Sequence, residues 1–212
     1  MRHGAKTFLI LLGALALGGR VATAQTEGQK QTAEVVKRGG EVVEAIGQTK
    51  MQIQKTLDQY NTILKPAAAD RSSAYKSLLK SIDDTEKKAQ NTRQRVDAMK
   101  KDADALFASW NTSLAGITDT GLRARSQERL NDTRQRYDQI LKAGGQAGEE
   151  FRSFVANLRN QVNYLGHDLN ASAVASLAPD AKKLNEQGAE TFKKIDAATK
   201  DLEGYIRSLQ PQ

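Results

Sequence analysis

The chain has 212 residues, of which 32 are Lys or Arg and 25 are Asp or Glu, so its formal net charge at pH 7 is +7. It contains no cysteine, which excludes disulfide bonds and the lipid attachment of a conventional bacterial lipoprotein. Its length is typical of a single domain, which must be stabilised by side-chain contacts or by oligomerisation.

The first residues have the pattern of an export signal. Arg2 and Lys6 form a basic start, and an apolar stretch of thirteen residues, 7–19, follows them. This stretch is shorter than the roughly 18 to 20 apolar residues that span a bilayer. Export followed by cleavage is therefore the better interpretation, and retention at the inner membrane by an uncleaved signal is the alternative.

The expected cleavage site follows Ala24. Ala22 and Ala24 stand where signal peptidase requires small side chains. Cleavage would remove residues 1–24 and leave residues 25–212 as one periplasmic domain. Three basic residues and no acid would leave with the signal, so the net charge would fall from +7 to +4. The high positive charge is thus partly a targeting feature, and we expect no nucleic-acid partner.

Composition predicts an all-α fold. The chain has only three prolines, none of them between residues 67 and 178, and that stretch is rich in strong helix formers. Short connections between long helices indicate antiparallel neighbours, so we expect an elongated antiparallel bundle of about four long helices with coiled-coil character. The predicted helices span residues 29–64, 74–115, 119–165 and 179–209, with a short helix at 171–177.

The first predicted helix ends near Pro66, and the second has a long heptad pattern. The apolar positions of the first helix are Val42, Ile46, Ile53, Leu57, Tyr60 and Leu64. The heptad positions of the second helix are Tyr75, Leu78, Ile82, Thr85, Ala89, Thr92, Val96, Met99, Ala103, Leu106 and Trp110. Thr85, Ala89 and Thr92 in the middle of this pattern are small or polar, so they permit close helix approach but bury little apolar area. We therefore expect the chain to complete this seam by self-association, most simply as a dimer.

Charged residues on the flanks of the second helix stand four positions apart, a spacing that favours ion pairs within one helix. The expected pairs are Asp83 with Lys87, Asp84 with Lys88, and Asp97 with Lys101.

The third and fourth helices show the same apolar spacing. Thr118 and Asp119 are plausible N-cap residues of the third helix, and Pro179 opens the fourth. The apolar positions of the third helix are Leu130, Thr133, Tyr137, Ile140, Phe151, Phe154, Leu158, Val162 and Leu165. Those of the fourth helix are Leu184, Phe192, Ile195, Leu202, Ile206 and Leu209.

Several glycines fall inside the helical patterns, where each costs up to about 1 kcal/mol relative to alanine. They are Gly39, Gly40, Gly144, Gly145 and Gly148. Kinks or tight helix crossings explain them better than a ligand-binding loop.

The residues that carry chemistry are few. His167, between Gly166 and Asp168, could act as a general base or a metal ligand, but it lies alone in a predicted helix-end turn. No phosphate loop, nucleophile elbow or zinc-protease motif is present. We therefore assign no catalytic, cofactor-binding or metal-binding residue and predict a protein that is not an enzyme.

A run of arginines lies in the third predicted helix. Its members are Arg123, Arg125, Arg129, Arg134 and Arg136. They could bind phosphate or anionic lipid, but acids are interleaved with them and a solvated face is favoured. If the run has a ligand, export points to lipid headgroups or cell-wall polymer and away from DNA.

Three segments carry a family resemblance: ALFASWNTSL at 105–114, RLNDTRQRYD at 129–138 and VNYLGHDLNASAVASL at 162–177. Together they resemble a bacterial domain-of-unknown-function family of exported, coiled-coil-rich helical envelope proteins. The resemblance implies a helical bundle in the envelope and carries no activity, substrate or site residue. Family members often look like lipoproteins, from which this chain differs by lacking cysteine. Some relatives bear a DNA-repair ATPase label, which the missing phosphate loop and the export signal make implausible here.

These observations favour a non-enzymatic exported scaffold or adaptor, with a protein partner or a second copy of the chain as its ligand. One alternative is a periplasmic holdase-type chaperone, which would need exposed apolar faces at Phe151, Phe154 and Phe192. The other alternative is a binder of anionic lipid or cell-wall polymer, with weak contact at the membrane surface or the wall.

Overall fold

The computed structural model describes residues 20–65 and 70–210, with side chains described from residue 27 onward. In these ranges the chain forms five helices and no strand, which confirms the predicted all-α fold. The helices are α1 (Arg20–Ile63), α2 (Arg71–Leu114), α3 (Thr120–His167), α4 (Ala171–Ser176) and α5 (Ala178–Leu209). The apolar core of the expected export signal, residues 7–19, lies outside the described residues, so cleavage after Ala24 stays a prediction.

The four long helices form a closed antiparallel bundle. α1 contacts α2 and α5, and α3 contacts the same two helices from the opposite corner. The short α4 connects α3 to α5 and packs on α5. With 48 residues, α3 is about 72 Å long at 1.5 Å per residue, so the bundle is elongated as expected.

Side-chain caps place three of the helix starts. Asp70 accepts a hydrogen bond from Ser73 N at 2.9 Å, and Asp119 accepts one from Leu122 N at 2.7 Å. Asn170 caps α4 in the same way. α5 has a proline in its first turn instead of a side-chain cap. α1 begins at Arg20, nine residues before the predicted start. Its first turns carry few apolar residues, so the spacing gave no signal there.

The core consists of two apolar clusters, one at each end of the bundle. The α4-end cluster is led by Ile53, Tyr60, Leu78, Ile82, Phe154, Leu158 and Leu165. The α1-start cluster is led by Val35, Val42, Met99, Leu106, Phe107, Tyr137, Leu202 and Tyr205. Between them, Thr49 and Thr92 share a hydrogen bond of 3.0 Å between their hydroxyls.

The weak part of the α2 seam is completed by hydroxyl groups of α1. Thr56 Oγ1 lies 2.7 Å from Ser81 Oγ and 3.0 Å from Thr85 Oγ1, and all three residues are buried. All eleven predicted seam positions of α2 are buried or half-buried. The polar seam residues therefore bond within the chain and do not require a second copy to satisfy them.

The glycines divide into two groups. A Cβ at Gly39 would overlap Ile206 of α5, so here the expected tight crossing is present. At Gly40, Gly144, Gly145 and Gly148 a Cβ would meet no described atom of a neighbouring helix within 4 Å, so a tight crossing is the wrong explanation for these four. Gly144 and its neighbours lie within the continuous helix α3.

The ion pairs expected within α2 are not among those that the described residues form. Asp83 instead lies 3.0 Å from Arg159 of α3, and Glu86 lies 2.9 Å from the same guanidinium. A cross-helix partner can replace an i,i+4 partner because a pair on an isolated helix contributes only about 0.2 to 0.5 kcal/mol.

Candidate interaction surfaces

His167 lies exposed in the last turn of α3. Its neighbour Asp168 accepts a hydrogen bond from Asn170 N at 2.8 Å, which shapes the turn into α4. Over the described ranges, no group of three or more His, Asp or Glu residues is placed to hold a metal ion. This turn therefore has the geometry of a helix connection.

Two arginines join neighbouring helices through carboxylates. Arg38 of α1 donates to Asp102 of α2 at 3.0 Å, and this bond raises the pKa of Arg38. Arg159 of α3 donates to Asp83 at 3.0 Å, which raises the pKa of Arg159. Both guanidinium groups therefore have carboxylate partners within the bundle.

The arginines in the first half of α3 behave differently. None of Arg123, Arg125, Arg129, Arg134 and Arg136 is within ion-pair distance of a carboxylate of the described chain. Arg123 donates to the Ile117 carbonyl at 2.9 Å. Arg129 and Arg134 lie 6.0 and 5.9 Å from the ring centres of Trp110 and Phe107. Such cation–π contacts leave most of the guanidinium donors available to a ligand.

These arginines do not form one face, as their sequence clustering suggested, but two. At 100° per residue, Arg125, Arg129 and Arg136 fall within about 60° of Leu122 around the helix. Arg123 and Arg134 lie about 110° away, on the side where Arg134 covers Phe107. We call Leu122, Arg125, Arg129 and Arg136 the basic row. Leu122 was missed in the sequence, although its spacing of 3, 7 and 14 residues from the arginines is visible there.

The basic row is exposed because α5 ends before reaching most of it. The rings of Tyr137 in α3 and Tyr205 in α5 lie 5.8 Å apart, so these residues mark the same level of the bundle. α5 continues four residues beyond that level, about 6 Å, to Leu209. α3 extends seventeen residues the same way, about 26 Å, to Thr120. About 20 Å of α3 therefore lies past the end of helix α5.

The other side of α3 borders a groove against α2. Its volume is about 530 Å³, Phe107 and Leu130 form its floor, and Asn111, Gln127 and Asn131 line its rim. Both floor residues are buried, and Asp104 and Arg134 also line the groove, so it presents amide groups together with one acidic and one basic side chain.

Three aromatic rings meet in the α1-start cluster. Phe107 and Tyr137 contact edge to face with ring centres 5.6 Å apart, and Tyr205 adjoins Tyr137. Tyr137 is 3% and Tyr205 5% exposed, and neither hydroxyl has a hydrogen-bond partner among the described atoms. Burial raises the pKa of both tyrosines above the ordinary value of 10, because the charged phenolate is poorly solvated there.

The phenylalanines that a chaperone would expose are mostly covered. Phe154 and Phe151 are buried in the α4-end cluster, and Phe192 packs half-buried against it. Lys50 Nζ lies 5.9 Å from the ring centre of Phe192.

Large apolar side chains reach solvent at isolated points. Met51 is 68% exposed, Leu122 53% and Tyr164 47%, and they lie on α1 and at the two ends of α3. Among the helices of the described residues, none combines the length and apolarity required to cross a bilayer.

These features define an elongated antiparallel four-helix bundle with an unpaired basic row at one end. The chain belongs to the protein family of unknown function DUF2959, whose sequence pattern matches residues 22–209. The match covers all five helices almost completely. No curated protein and no solved structure matches the chain.

Proposed function

We infer that this protein is a non-enzymatic scaffold or adaptor that acts by protein–protein contact in the bacterial envelope. The observation that carries the proposal is the burial of Phe151 and Phe154 inside a closed bundle about 70 Å long. A holdase needs a broad apolar surface for unfolded clients, whereas a spacer needs its apolar residues inside. The proposal includes no catalytic step and no cofactor.

The cross-helix ties support a rod that keeps its shape. Arg38, Arg159 and the Lys50–Asp196 pair connect different helices at separate levels of the bundle. A surface ion pair contributes only about 0 to 1 kcal/mol, so these ties specify helix register more than they add stability. A fixed register keeps Met51 and Tyr164 at a constant separation on the surface.

Photo-crosslinking in cells separates the scaffold from the holdase. A photoreactive amino acid placed at Met51 or at Tyr164 should give one or a few adducts of discrete mass. A broad ladder of adducts, together with suppressed aggregation of a denatured client at equimolar ratio, would establish the holdase instead. Absence of adducts at both positions would contradict contact with a protein partner there.

The location is tested by the mature N-terminus. Mass spectrometry of the protein from fractionated cells should find Gln25 as the first residue in the periplasmic fraction. An intact chain that sediments with the inner membrane would support the uncleaved alternative.

Self-association stays a prediction from the sequence. The expectation of a dimer rests on the weak α2 seam, yet the hydroxyls of Thr56 and Ser81 form hydrogen bonds there within the chain. Sedimentation velocity decides the matter, because a dimer of rods and a single rod differ twofold in mass. A monomer at micromolar concentration would contradict the expectation.

A further inference from the structure

The first turns of α3 present guanidinium groups that the fold does not use. The guanidinium groups of Arg125 and Arg136 make no hydrogen bond, ion pair or ring contact with the described residues, and that of Arg129 makes a ring contact with Trp110 and no hydrogen bond or ion pair there. The segment 120–136 holds five arginines and two acids, a net charge of +3. Elsewhere in the bundle, Arg38 and Arg159 each pair with a carboxylate of a neighbouring helix. The basic row thus offers several donors to an external anion.

We propose that the basic row binds the phosphate groups of an anionic lipid surface. Arginine forks match phosphate oxygens with paired donors, and three of them on one side of a helix can engage neighbouring headgroups. The inference is independent of the scaffold role, which concerns other surfaces of the rod.

Leu122 favours a lipid surface over a soluble polyanion. It is 53% exposed, lies at the tip of α3, and shares a side with the three arginines. An apolar side chain beside basic ones suits a membrane interface, where it enters the headgroup region while the guanidinium groups stay at the phosphates. A polyphosphate or acidic wall polymer would derive nothing from Leu122.

The start of α1 lies at the same end of the bundle as the basic row. Because Thr56 of α1 lies beside Ser81 of α2 and the earlier Arg38 pairs with the later Asp102, the start of α1 runs toward the loop between α2 and α3. Helix α1 begins at Arg20, directly after the apolar residues 7–19 in the sequence. An uncleaved signal would therefore hold the basic row at the membrane, and a cleaved chain would meet lipid by diffusion.

Trp110 provides a local probe because it is the only tryptophan and lies 6.0 Å from Arg129. The full chain is added to vesicles of brominated phosphatidylcholine, with or without phosphatidylglycerol, and quenching of Trp110 fluorescence is measured. Residues 7–19 could insert into both vesicles, and the basic residues Arg2 and Lys6 before them also favour anionic lipid. The part of the excess quenching on anionic vesicles that is lost when the arginines of the basic row are replaced therefore reports the basic row. We expect an excess that disappears at high salt.

The decisive variant is R125Q/R129Q/R136Q, and its matched control is K55Q/K76Q/K80Q in the opposite half of the bundle, where the three lysines are exposed and form no ion pair with the described residues. At roughly fivefold per basic residue, the first variant should bind anionic vesicles about a hundred-fold more weakly, and the control should stay close to the original chain. The double variant R125Q/R136Q leaves the Arg129–Trp110 contact intact and should bind anionic vesicles about 25-fold more weakly than the original chain. It replaces the triple variant in this test if the triple variant is poorly folded.

Three results would overturn the proposal. The first is equal quenching of the original chain on neutral and anionic vesicles. The second is an equal loss in the basic-row variant and its control, which would indicate net charge alone. The third is binding to soluble polyphosphate that competes fully with vesicles and is unaffected by Leu122→Ser, which would assign the row to a polymer. Weakened vesicle binding by Leu122→Ser, with polyphosphate binding unchanged, supports a lipid surface.

Discussion

Removing the hydroxyl group from Tyr137 or Tyr205 should stabilise the protein. Both hydroxyls are buried without a hydrogen-bond partner among the described atoms. In the unfolded chain each hydroxyl bonds to water, so folding costs about 1 to 3 kcal/mol for every group left unpaired. Phenylalanine keeps the ring contacts with Phe107 and between the two rings and removes this cost.

We expect Tyr137→Phe and Tyr205→Phe each to raise the free energy of unfolding by about 1 kcal/mol or more. Because the two rings touch, the double variant is needed to measure any coupling between them. Equilibrium unfolding in urea at pH 7, followed by far-UV circular dichroism, gives the free energies by linear extrapolation.

Tyr60→Phe is the matched control for this experiment. Tyr60 is also buried, but its hydroxyl donates to Gln161 Oε1. The same chemical change should here lower the free energy of unfolding by about 1 kcal/mol. If Tyr137→Phe destabilised the protein as much as Tyr60→Phe, its hydroxyl would have a partner, such as a buried water, and the reasoning would fail.

Three further predictions concern pH, helix glycines and the hydroxyl seam. Burial raises the pKa of all three buried tyrosines above the ordinary value of 10. Above that pH the unfolded chain loses protons that the folded chain keeps, so for each tyrosine the free energy of unfolding should fall with pH, at a rate that approaches about 1.4 kcal/mol per pH unit above about pH 11. Urea titrations between about pH 10 and pH 12 should show about one third less of this decline in each phenylalanine variant. Gly144→Ala should stabilise the protein by up to about 1 kcal/mol, whereas Gly39→Ala should destabilise it because the added Cβ would overlap Ile206. If both variants shifted the midpoint of thermal unfolding in the same direction, the assigned contacts would be contradicted. Thr56→Val should lower the free energy of unfolding by about 1 to 3 kcal/mol because the hydroxyl of Thr56 forms hydrogen bonds with groups of two helices. Thr191→Val should lower it less in the same urea assay, because the hydroxyl of Thr191 bonds only within α5.

The helices could be predicted because their signals are local. Seam positions such as Leu78, Ile82 and Met99 repeat with heptad spacing, and a helix with that pattern must bury that side. Asp119 caps α3 as its position implied, because the cap bond to Leu122 N spans only three residues.

The partners of charged residues could not be predicted in the same way. Asp83 stands four residues before Lys87, yet it pairs with Arg159, which is 76 residues away in the chain. Ion pairs on one helix are weak, so a well-placed group on a neighbouring helix decides the outcome.

The sequence alone therefore determined the helices, their order and the sides that they bury, because propensity, capping and apolar periodicity act within a few residues. Only the tertiary structure decided that the α2 seam closes on the hydroxyls of α1. It also decided that the arginines of α3 divide onto two sides, one of which extends past the end of α5. These properties depend on where neighbouring helices end and how they are offset along the bundle, and such offsets result from contacts between distant parts of the chain.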